Sequence, residues 1–167
     1  MPGSLTNVVV AGLGGQGVLK ASDILADAAL RAGFEVKKSE VKGMSQRGGS
    51  VTSEVRFGDA VLSPMVPPGE ADFLLVLEPT QVEPNLYILK PDGQLIKPEA
   101  VDPGKLANKK SLNVALLGVL SAHLPLPEKD WLDALREAFP AEFFAHNQQA
   151  FLAGRGVRLA AERGECP

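Results

Sequence analysis

The feature that most constrains this chain is a glycine-rich turn between an apolar strand and an amphipathic helix. Residues 7–11 (NVVVA) are mostly apolar and β-branched, which predicts a short strand buried on both faces. Apolar residues at helical spacing predict a helix over 16–32. Between them, Gly12, Gly14 and Gly17 fit the G-x-G-x-x-G spacing in the strand–turn–helix context that this motif requires. The pattern favours an α/β fold that opens with a βαβ unit.

Three interpretations of this turn are open. The start of a helix presents unpaired N–H groups and the positive end of the helix dipole, which suit a phosphate or carboxylate ligand. Bound NAD or FAD would also need an acidic residue about 20 residues further on, and the candidates, Glu35 and Glu40, lie in a polar strand. In the third interpretation the glycines only allow a tight turn and close packing. The Gln16 amide either donates to an anion, contacts a partner or ties down the loop.

The remaining sequence alternates between strand and helix patterns. Residues 34–41 predict a polar strand, which we place at a sheet edge or an interface because an interior strand would be apolar. Residues 51–57 alternate in polarity and predict a half-exposed antiparallel strand. Residues 73–78 (FLLVLE) predict a second buried strand, and residues 86–97 predict a hairpin around a Pro-Asp-Gly turn. Further helices are predicted over 111–122, 131–139 and 143–152.

Together these elements predict a single α/β domain over residues 1–158. Its expected architecture is a Rossmann-like three-layer fold with a mixed, mostly parallel sheet flanked by helices. The length of 167 residues suffices for one such core and is short for two domains. Residues 159–167 are expected to form a loose C-terminal tail.

Composition narrows the classes of partner. The formal net charge of −3 provides no basic surface for DNA or RNA, so no nucleic-acid partner is expected. No apolar run reaches the roughly 18 residues of a spanning helix and no signal-peptide pattern is present, so we expect a cytoplasmic protein without a membrane partner. The single cysteine, Cys166, cannot form an internal disulfide or ligate an iron–sulfur cluster by itself. Any redox metal is therefore expected on another subunit, with no metal site on this chain.

A second unusual stretch lies between the polar strand and the alternating strand. Its sequence, KGMSQRGGS (residues 42–50), predicts a loop in which glycines bracket two hydrogen-bonding side chains and a guanidinium. Arg47 can hold a carboxylate or phosphate through paired N–H donors. The alternative is a surface turn whose arginine is simply solvated.

Several segments, in this order and spacing, resemble the gamma subunit or domain of 2-oxoacid:ferredoxin oxidoreductases. They are GLGGQGVL, SEVKGMSQRGGSVTSEVRFG, SP, ADFLLVLEP and NQQAFLAG. The resemblance runs from about residue 7 to residue 155, and GMSQRGGSV is its most specific part. Within that family, the likeness is greatest to the beta subunits of the indolepyruvate branch.

The resemblance implies one part of a larger enzyme that oxidatively decarboxylates a 2-oxoacid, here of the indolepyruvate or arylpyruvate type, with coenzyme A and ferredoxin. It also implies that thiamine diphosphate and iron–sulfur clusters are carried by companion subunits. This chain would complete the active-site cleft without being active alone, and no catalytic residue is assigned to it. An isolated chain could form a homodimer through the surface meant for its partner. The residues expected to bind coenzyme A or face the partner are Gly12, Gly14, Gly15, Gln16, Gly17, Ser45, Gln46, Arg47, Gly48, Gly49 and Ser50.

Two other classes of function stay open from the residues alone: a free-standing NAD- or FAD-binding Rossmann-type module, and a structural assembly subunit without ligand contacts. The polar second strand argues against the first. Glu78 follows a buried strand, where it either contacts a ligand or, the reading we favour, serves as a helix-start carboxylate beside Pro79. His123 and His146 are interpreted as packing or helix-end residues, and Trp131 as a core or interface anchor.

Overall fold

The computed structural model describes residues 4–42 and 48–157. These ranges contain an α/β fold, as predicted, and the predicted C-terminal tail lies outside them. The strands are β1 (Leu5–Leu13), β2 (Glu35–Lys42), β3 (Ser50–Gly58), β4 (Ala71–Val76) and β5 (Leu89–Ile96). The α-helices are α1 (Val18–Arg31), α2 (Val82–Asn85), α3 (Leu112–Ser121), α4 (Glu128–Ala138) and α5 (Ala141–Arg155). No helix in the described ranges combines the length and apolarity needed to cross a membrane.

The strands form one open, mixed sheet in the order β2-β3-β1-β4-β5. β1, β4 and β5 are parallel neighbours, whereas β3 runs antiparallel to both β1 and β2. Four of these five strands therefore point in the same direction. The polar strand β2 lies at the edge of the sheet, and β3 is antiparallel, which confirms both predictions. An edge position explains the charged side chains of β2, because one side of an edge strand faces solvent.

Helix α1 begins two residues later than the sequence pattern predicted. Gly17 is its N-cap and has a φ of 84°, in the left-handed region that favours glycine. The helix therefore starts only at Val18, after the backbone has turned away from β1. The predicted apolar stripe is buried along its length: Val18, Ala21, Leu25 and Ala28.

One face of the sheet is covered by the longer helices α1, α3, α4 and α5. Helix α3 is buried on nearly all sides, as predicted, and α3 and α5 meet backbone to backbone. A Cβ on Gly118 would collide with the carbonyl of Phe151, and a Cβ on Gly154 would collide with the carbonyl of Ala115. Trp131 of α4 is fully buried, with its ring centroid 5.5 Å from that of Phe151. The tryptophan is therefore a core anchor of this face.

The opposite face has a thinner cover, made by α2, the single helical turns beside it and an extended segment, residues 61–66. Val66 of this segment is buried and packs in one cluster with Val9 and Ala11 of β1. Its backbone N–H donates to the Glu54 carboxylate on β3 at 2.6 Å. The sheet thus has helices on both sides, but only one side carries long ones.

Arg56 of β3 holds the extended segment against the sheet. Its Nη1 donates to the carbonyls of Ser63 and Met65 at 2.9 and 2.8 Å, and its Nε donates to Oδ1 of Asn7 at 2.9 Å. The side chain is consequently buried, with 9% exposure. The predicted half-exposed character of β3 is wrong at this residue, because a charged side chain with enough hydrogen-bond partners can be buried.

The hairpin predicted around Pro-Asp-Gly is wrong. The segment forms one strand, β5, parallel to β4. Leu89 pairs with Ala71 and Gln94 pairs with Phe73, so residues 90–93 form an irregularity in the edge strand rather than a reversal of the chain. Proline and glycine are tolerated there because the outer edge of the sheet has no neighbouring strand to pair with.

Candidate binding site at the glycine turn

The glycine turn lies at the carboxyl end of β1, which is where open α/β sheets bind ligands. Gly15 and Gly17 both have positive φ, at 88° and 84°. The N–H of Gly14 donates to the carbonyl of Gly49 at 2.9 Å. This hydrogen bond joins the two sequence motifs, which are 35 residues apart along the chain.

A cavity of about 480 Å³ opens between the glycine turn and the start of β3. It brings together six of the predicted site residues, whereas Gly12 and Gln16 do not line it. Ser45, Gln46 and Arg47 lie outside the described residues. The predicted residues on its wall are Gly14, Gly15, Gly17, Gly48, Gly49 and Ser50.

The first turn of α1 also faces this cavity, through Val18, Leu19 and Lys20. The first hydrogen bond inside the helix runs from the N–H of Ala21 to the carbonyl of Gly17, at 3.0 Å. No side chain caps the helix start, and the first turn contains no acidic residue. Because the preceding N–H groups have no intrahelical acceptor and the dipole is positive here, this end of the cavity favours an anion.

Two lysines that sequence reasoning missed, Lys20 and Lys42, line the same cavity. The Lys20 Nζ donates to the carbonyl of Ala138 at 2.9 Å and lies 5.3 Å from the ring centroid of Phe139, so α4 holds it. Lys42 is exposed at the end of β2. The sequence could have identified them by position: Lys20 lies three residues after Gly17, and Lys42 is the first residue of the predicted loop.

On the other side of the turn, the Gln16 side chain is engaged at both ends of its amide. Its Oε1 accepts from the N–H of Leu13 at 2.8 Å, and its Nε2 donates to Oε2 of Glu78 at 2.8 Å. These contacts favour the interpretation that Gln16 ties down the loop. Glu78 precedes the single turn at Pro79 but its side chain makes no capping hydrogen bond to that turn. Glu78 thus occupies the expected helix-start position beside Pro79, and its carboxylate also accepts the hydrogen bond from Gln16.

Side-chain contacts leave little room for a Cβ at two glycines of the motif. A Cβ on Gly12 would lie 2.8 Å from Cγ2 of Val18 and 3.0 Å from Oε1 of Gln16. A Cβ on Gly17 would collide with the Asn113 side chain of α3. Close packing and an anion-favouring helix start therefore occur together in this turn.

The arrangement does not fit NAD or FAD. In a dinucleotide-binding fold the second strand lies beside the first, and its acidic end residue reaches the ribose. Here β3 occupies that place and β2 lies one strand further away. Glu35 is at the opposite end of the sheet, at the start of β2, and Glu40 accepts a hydrogen bond from Lys38 at 2.7 Å. The Gln16–Glu78 pair also spans the crevice between β1 and β4 where a dinucleotide would lie.

The two histidines pack against aromatic rings. The His123 ring centroid lies 6.2 Å from that of Phe73, and the His146 centroid lies 5.7 Å from that of Phe143. In the part of the chain that the structure describes, His, Cys, Asp and Glu form no group of three placed to hold a metal ion. The packing interpretation of both histidines agrees with these contacts.

Fold and site together define a class of protein: a Rossmann-like α/β domain with an antiparallel strand beside β1 and a glycine turn that opens toward that strand. Solved structures share this fold. Pyruvate oxidoreductase subunit PORC from Thermotoga maritima matches with a TM-score of 0.73 and 22% identity, over 92% of this chain and 96% of that one. The 2-oxoglutarate:ferredoxin oxidoreductase from Magnetococcus marinus, solved with 2-oxoglutarate, coenzyme A and succinyl-CoA bound, matches with a TM-score of 0.69 and 22% identity. That match covers 90% of this chain but 30% of the longer one.

Sequence comparison identifies the family more specifically than the shared fold does. The family model for pyruvate ferredoxin/flavodoxin oxidoreductase matches residues 7–157. Indolepyruvate oxidoreductase subunit IorB of Pyrococcus horikoshii is 51% identical over an alignment of 196 residues, which covers 93% of this chain and 96% of that protein. The chain belongs to the pyruvate ferredoxin/flavodoxin oxidoreductase family and is a subunit of a multisubunit 2-oxoacid ferredoxin oxidoreductase.

Proposed function

We propose that this chain serves an indolepyruvate- or arylpyruvate-type enzyme, in which its glycine turn and the loop after β2 border the path of coenzyme A. One observation carries the proposal: the turn and the start of β3, distant in sequence, form one cavity lined by a helix start and two lysines. The similarity to a subunit named for indolepyruvate supports the choice of 2-oxoacid. Selection among 2-oxoacids would rest mostly with the thiamine-bearing subunit.

Coenzyme A is a suitable ligand because it carries a diphosphate and a separate phosphate on its ribose. Free N–H groups at the start of α1 can bind one phosphate by donating hydrogen bonds to it, as helix starts commonly do. Lys42 and, by proposal, Arg47 supply positive charge on the facing loop, where a guanidinium can bind phosphate through two parallel hydrogen bonds. Ser45, Gln46 and Ser50 add hydrogen-bonding groups to the same loop. The glycines Gly14, Gly15, Gly17, Gly48 and Gly49 form the backbone of the wall.

The same proposal divides the chemistry between chains. Thiamine diphosphate and the iron–sulfur clusters belong to the companion subunit or subunits, and ferredoxin accepts the electrons. Thiamine diphosphate provides the carbanion stabilisation that decarboxylation of a 2-oxoacid needs. This chain contributes binding and orientation of coenzyme A and is inactive by itself. Residues 1–158 act as one gamma-type domain in a cytoplasmic complex.

The experiment is steady-state kinetics of the enzyme reconstituted with its thiamine-bearing subunit, using indolepyruvate, coenzyme A and ferredoxin. Arg47→Ala and Lys42→Ala should each raise the KM for coenzyme A by about tenfold, the usual effect of losing one charge-assisted contact. The KM for indolepyruvate should change less than twofold. Lys129→Ala, an exposed lysine of α4 outside the cavity, is the matched control.

Unchanged coenzyme A affinity in both variants would contradict the proposed path and favour a structural assembly role. A purified chain that shows flavin absorbance or saturable NAD binding would instead support a free-standing nucleotide-binding module. A brown, iron-containing complex that co-purifies with the chain from its host would support the division of chemistry between subunits.

A further inference from the structure

The Gln16–Glu78 pair joins two strands at the point where the chain leaves them in opposite directions. Val76 ends β4 and is paired with Ala11 of β1, so the two carboxyl ends are adjacent. From β1 the chain continues through α1 to β2 on one side of the sheet, and from β4 it continues through α2 to β5 on the other. Such a divergence normally leaves an open crevice for a ligand. In this chain the Gln16–Glu78 hydrogen bond crosses that crevice.

The Glu78 carboxylate holds the Gln16 side chain in place, and the Gln16 side chain in turn holds the glycine turn. Without an acceptor for its Nε2, the Gln16 side chain would keep only one of its two hydrogen bonds, so its Oε1 would hold the N–H of Leu13 less firmly. A Cβ on Gly12 would lie 3.0 Å from the same Oε1, so a side chain at residue 12 would crowd Gln16. The position of Gly14 and Gly15, and with it one wall of the cavity, therefore depends on a carboxylate that does not itself line the cavity.

We propose that Glu78 is a positioning residue for coenzyme A: through Gln16 it holds the glycine turn in the shape that faces the cavity. This inference rests on the proposed function. The Glu78 carboxylate lies outside the cavity lining and is engaged by an amide donor, so it acts through geometry rather than through contact with the ligand.

The test uses three substitutions in the reconstituted enzyme. Glu78→Ala removes the acceptor and should raise the KM for coenzyme A about tenfold, with kcat and the KM for indolepyruvate within twofold of wild type. Glu78→Gln keeps a carbonyl oxygen that can accept from Gln16, so the KM of this variant for coenzyme A should stay within about threefold of wild type. Glu83→Ala, in the first turn of α2, is the matched control because it removes an exposed carboxylate near Glu78 in the chain.

A double-mutant cycle separates an indirect role from a direct one. If Glu78 acts through Gln16, the Gln16→Ala/Glu78→Ala double variant should be no worse than Gln16→Ala alone, because coupled residues give non-additive effects. Amide hydrogen exchange provides a readout that does not depend on activity. The N–H of Leu13 should exchange at least tenfold faster in Glu78→Ala than in wild type or Glu78→Gln.

Wild-type KM for coenzyme A in Glu78→Ala overturns the inference, with or without faster exchange at Leu13. Fully additive effects in the cycle also overturn it. If Glu78→Ala is silent while Arg47→Ala and Lys42→Ala weaken coenzyme A, only the positioning role fails. If all of these variants bind coenzyme A normally, the proposed function fails as well.

Discussion

The two faces of the sheet are covered by different physical means. On one face, long helices bury an apolar cluster that includes Trp131 and Phe151, and two helices touch through their backbones. On the other face, a short extended segment is held down by hydrogen bonds from Arg56 and Glu54. The first cover depends on shape and on apolar area spread over many residues. The second depends on a few directed bonds, so one substitution should release it while the strands beneath stay paired.

The largest effect is expected at the helix–helix contact of the first face. Gly154→Ala places a Cβ against the carbonyl of Ala115, and neither backbone can yield without moving a whole helix. We expect a loss of about 3 kcal/mol in the free energy of unfolding, at the upper end of overpacking effects. Urea denaturation measures it. Gly156→Ala is the control, because a Cβ there meets only ordinary contacts and the backbone is already helical.

A smaller loss is expected from Arg56→Ala on the second face. The substitution leaves the carbonyls of Ser63 and Met65 without their donor, which should cost about 2 kcal/mol. Hydrogen exchange at the N–H of Val66 should rise more than exchange within β1. Lys37→Ala, directly opposite Arg56 on β2, should change stability by less than about 0.5 kcal/mol. Equal losses in the two variants would contradict the role of Arg56 in holding residues 61–66 against the sheet.

The smallest effect is a pH dependence at the edge of the first face. Burial lowers the pKa of Lys38, but hydrogen bonds to Asp23 and Glu40 outweigh it and raise the pKa above its ordinary value. A raised folded-state pKa stabilises the protein below the unfolded value of about 10.4, and this stabilisation is lost as pH rises through the folded value. Lys38→Met should therefore lose less stability than wild type between about pH 9 and pH 11.

The measurement is urea denaturation of Lys38→Met and wild type at both pH values, and Lys37→Met is the control for removing a lysine from the same strand. A steeper alkaline loss in Lys38→Met than in wild type would contradict the sign of this effect.

Local patterns were enough to predict much of the fold. The apolar run of β1, the glycines after it and the stripe of α1 each follow from near neighbours in sequence, and the charges of β2 correctly placed it at an edge. The hairpin was predicted wrongly from an equally local signal, Pro-Asp-Gly, because nothing in that segment reveals that the next strand partner is β4. Pairing with β4, rather than the local sequence, determined that residues 90–93 form a bulge and not a turn.

The site was harder to predict because its parts are brought together by the fold. Glu78 was correctly located after a buried strand, but its partner Gln16 is 62 residues away and an isolated glutamate carries no sign of it. Arg56 was assigned to an exposed face because alternation in β3 cannot show that residues 61–66 fold back over it. Lys20 and Lys42 become neighbours of one cavity only when β3 is inserted between β1 and β2.

The insertion of β3 has a consequence for how such subunits can differ from one another. β2 and β3 follow each other in the chain and pair antiparallel through eight registered positions, so residues can be added to both in matched twos without turning any side chain to the wrong face. Each such addition would raise the rim beside the glycine turn by about 7 Å, while β1, β4 and β5 keep their contacts. Depth at this opening is thus adjustable independently of the core.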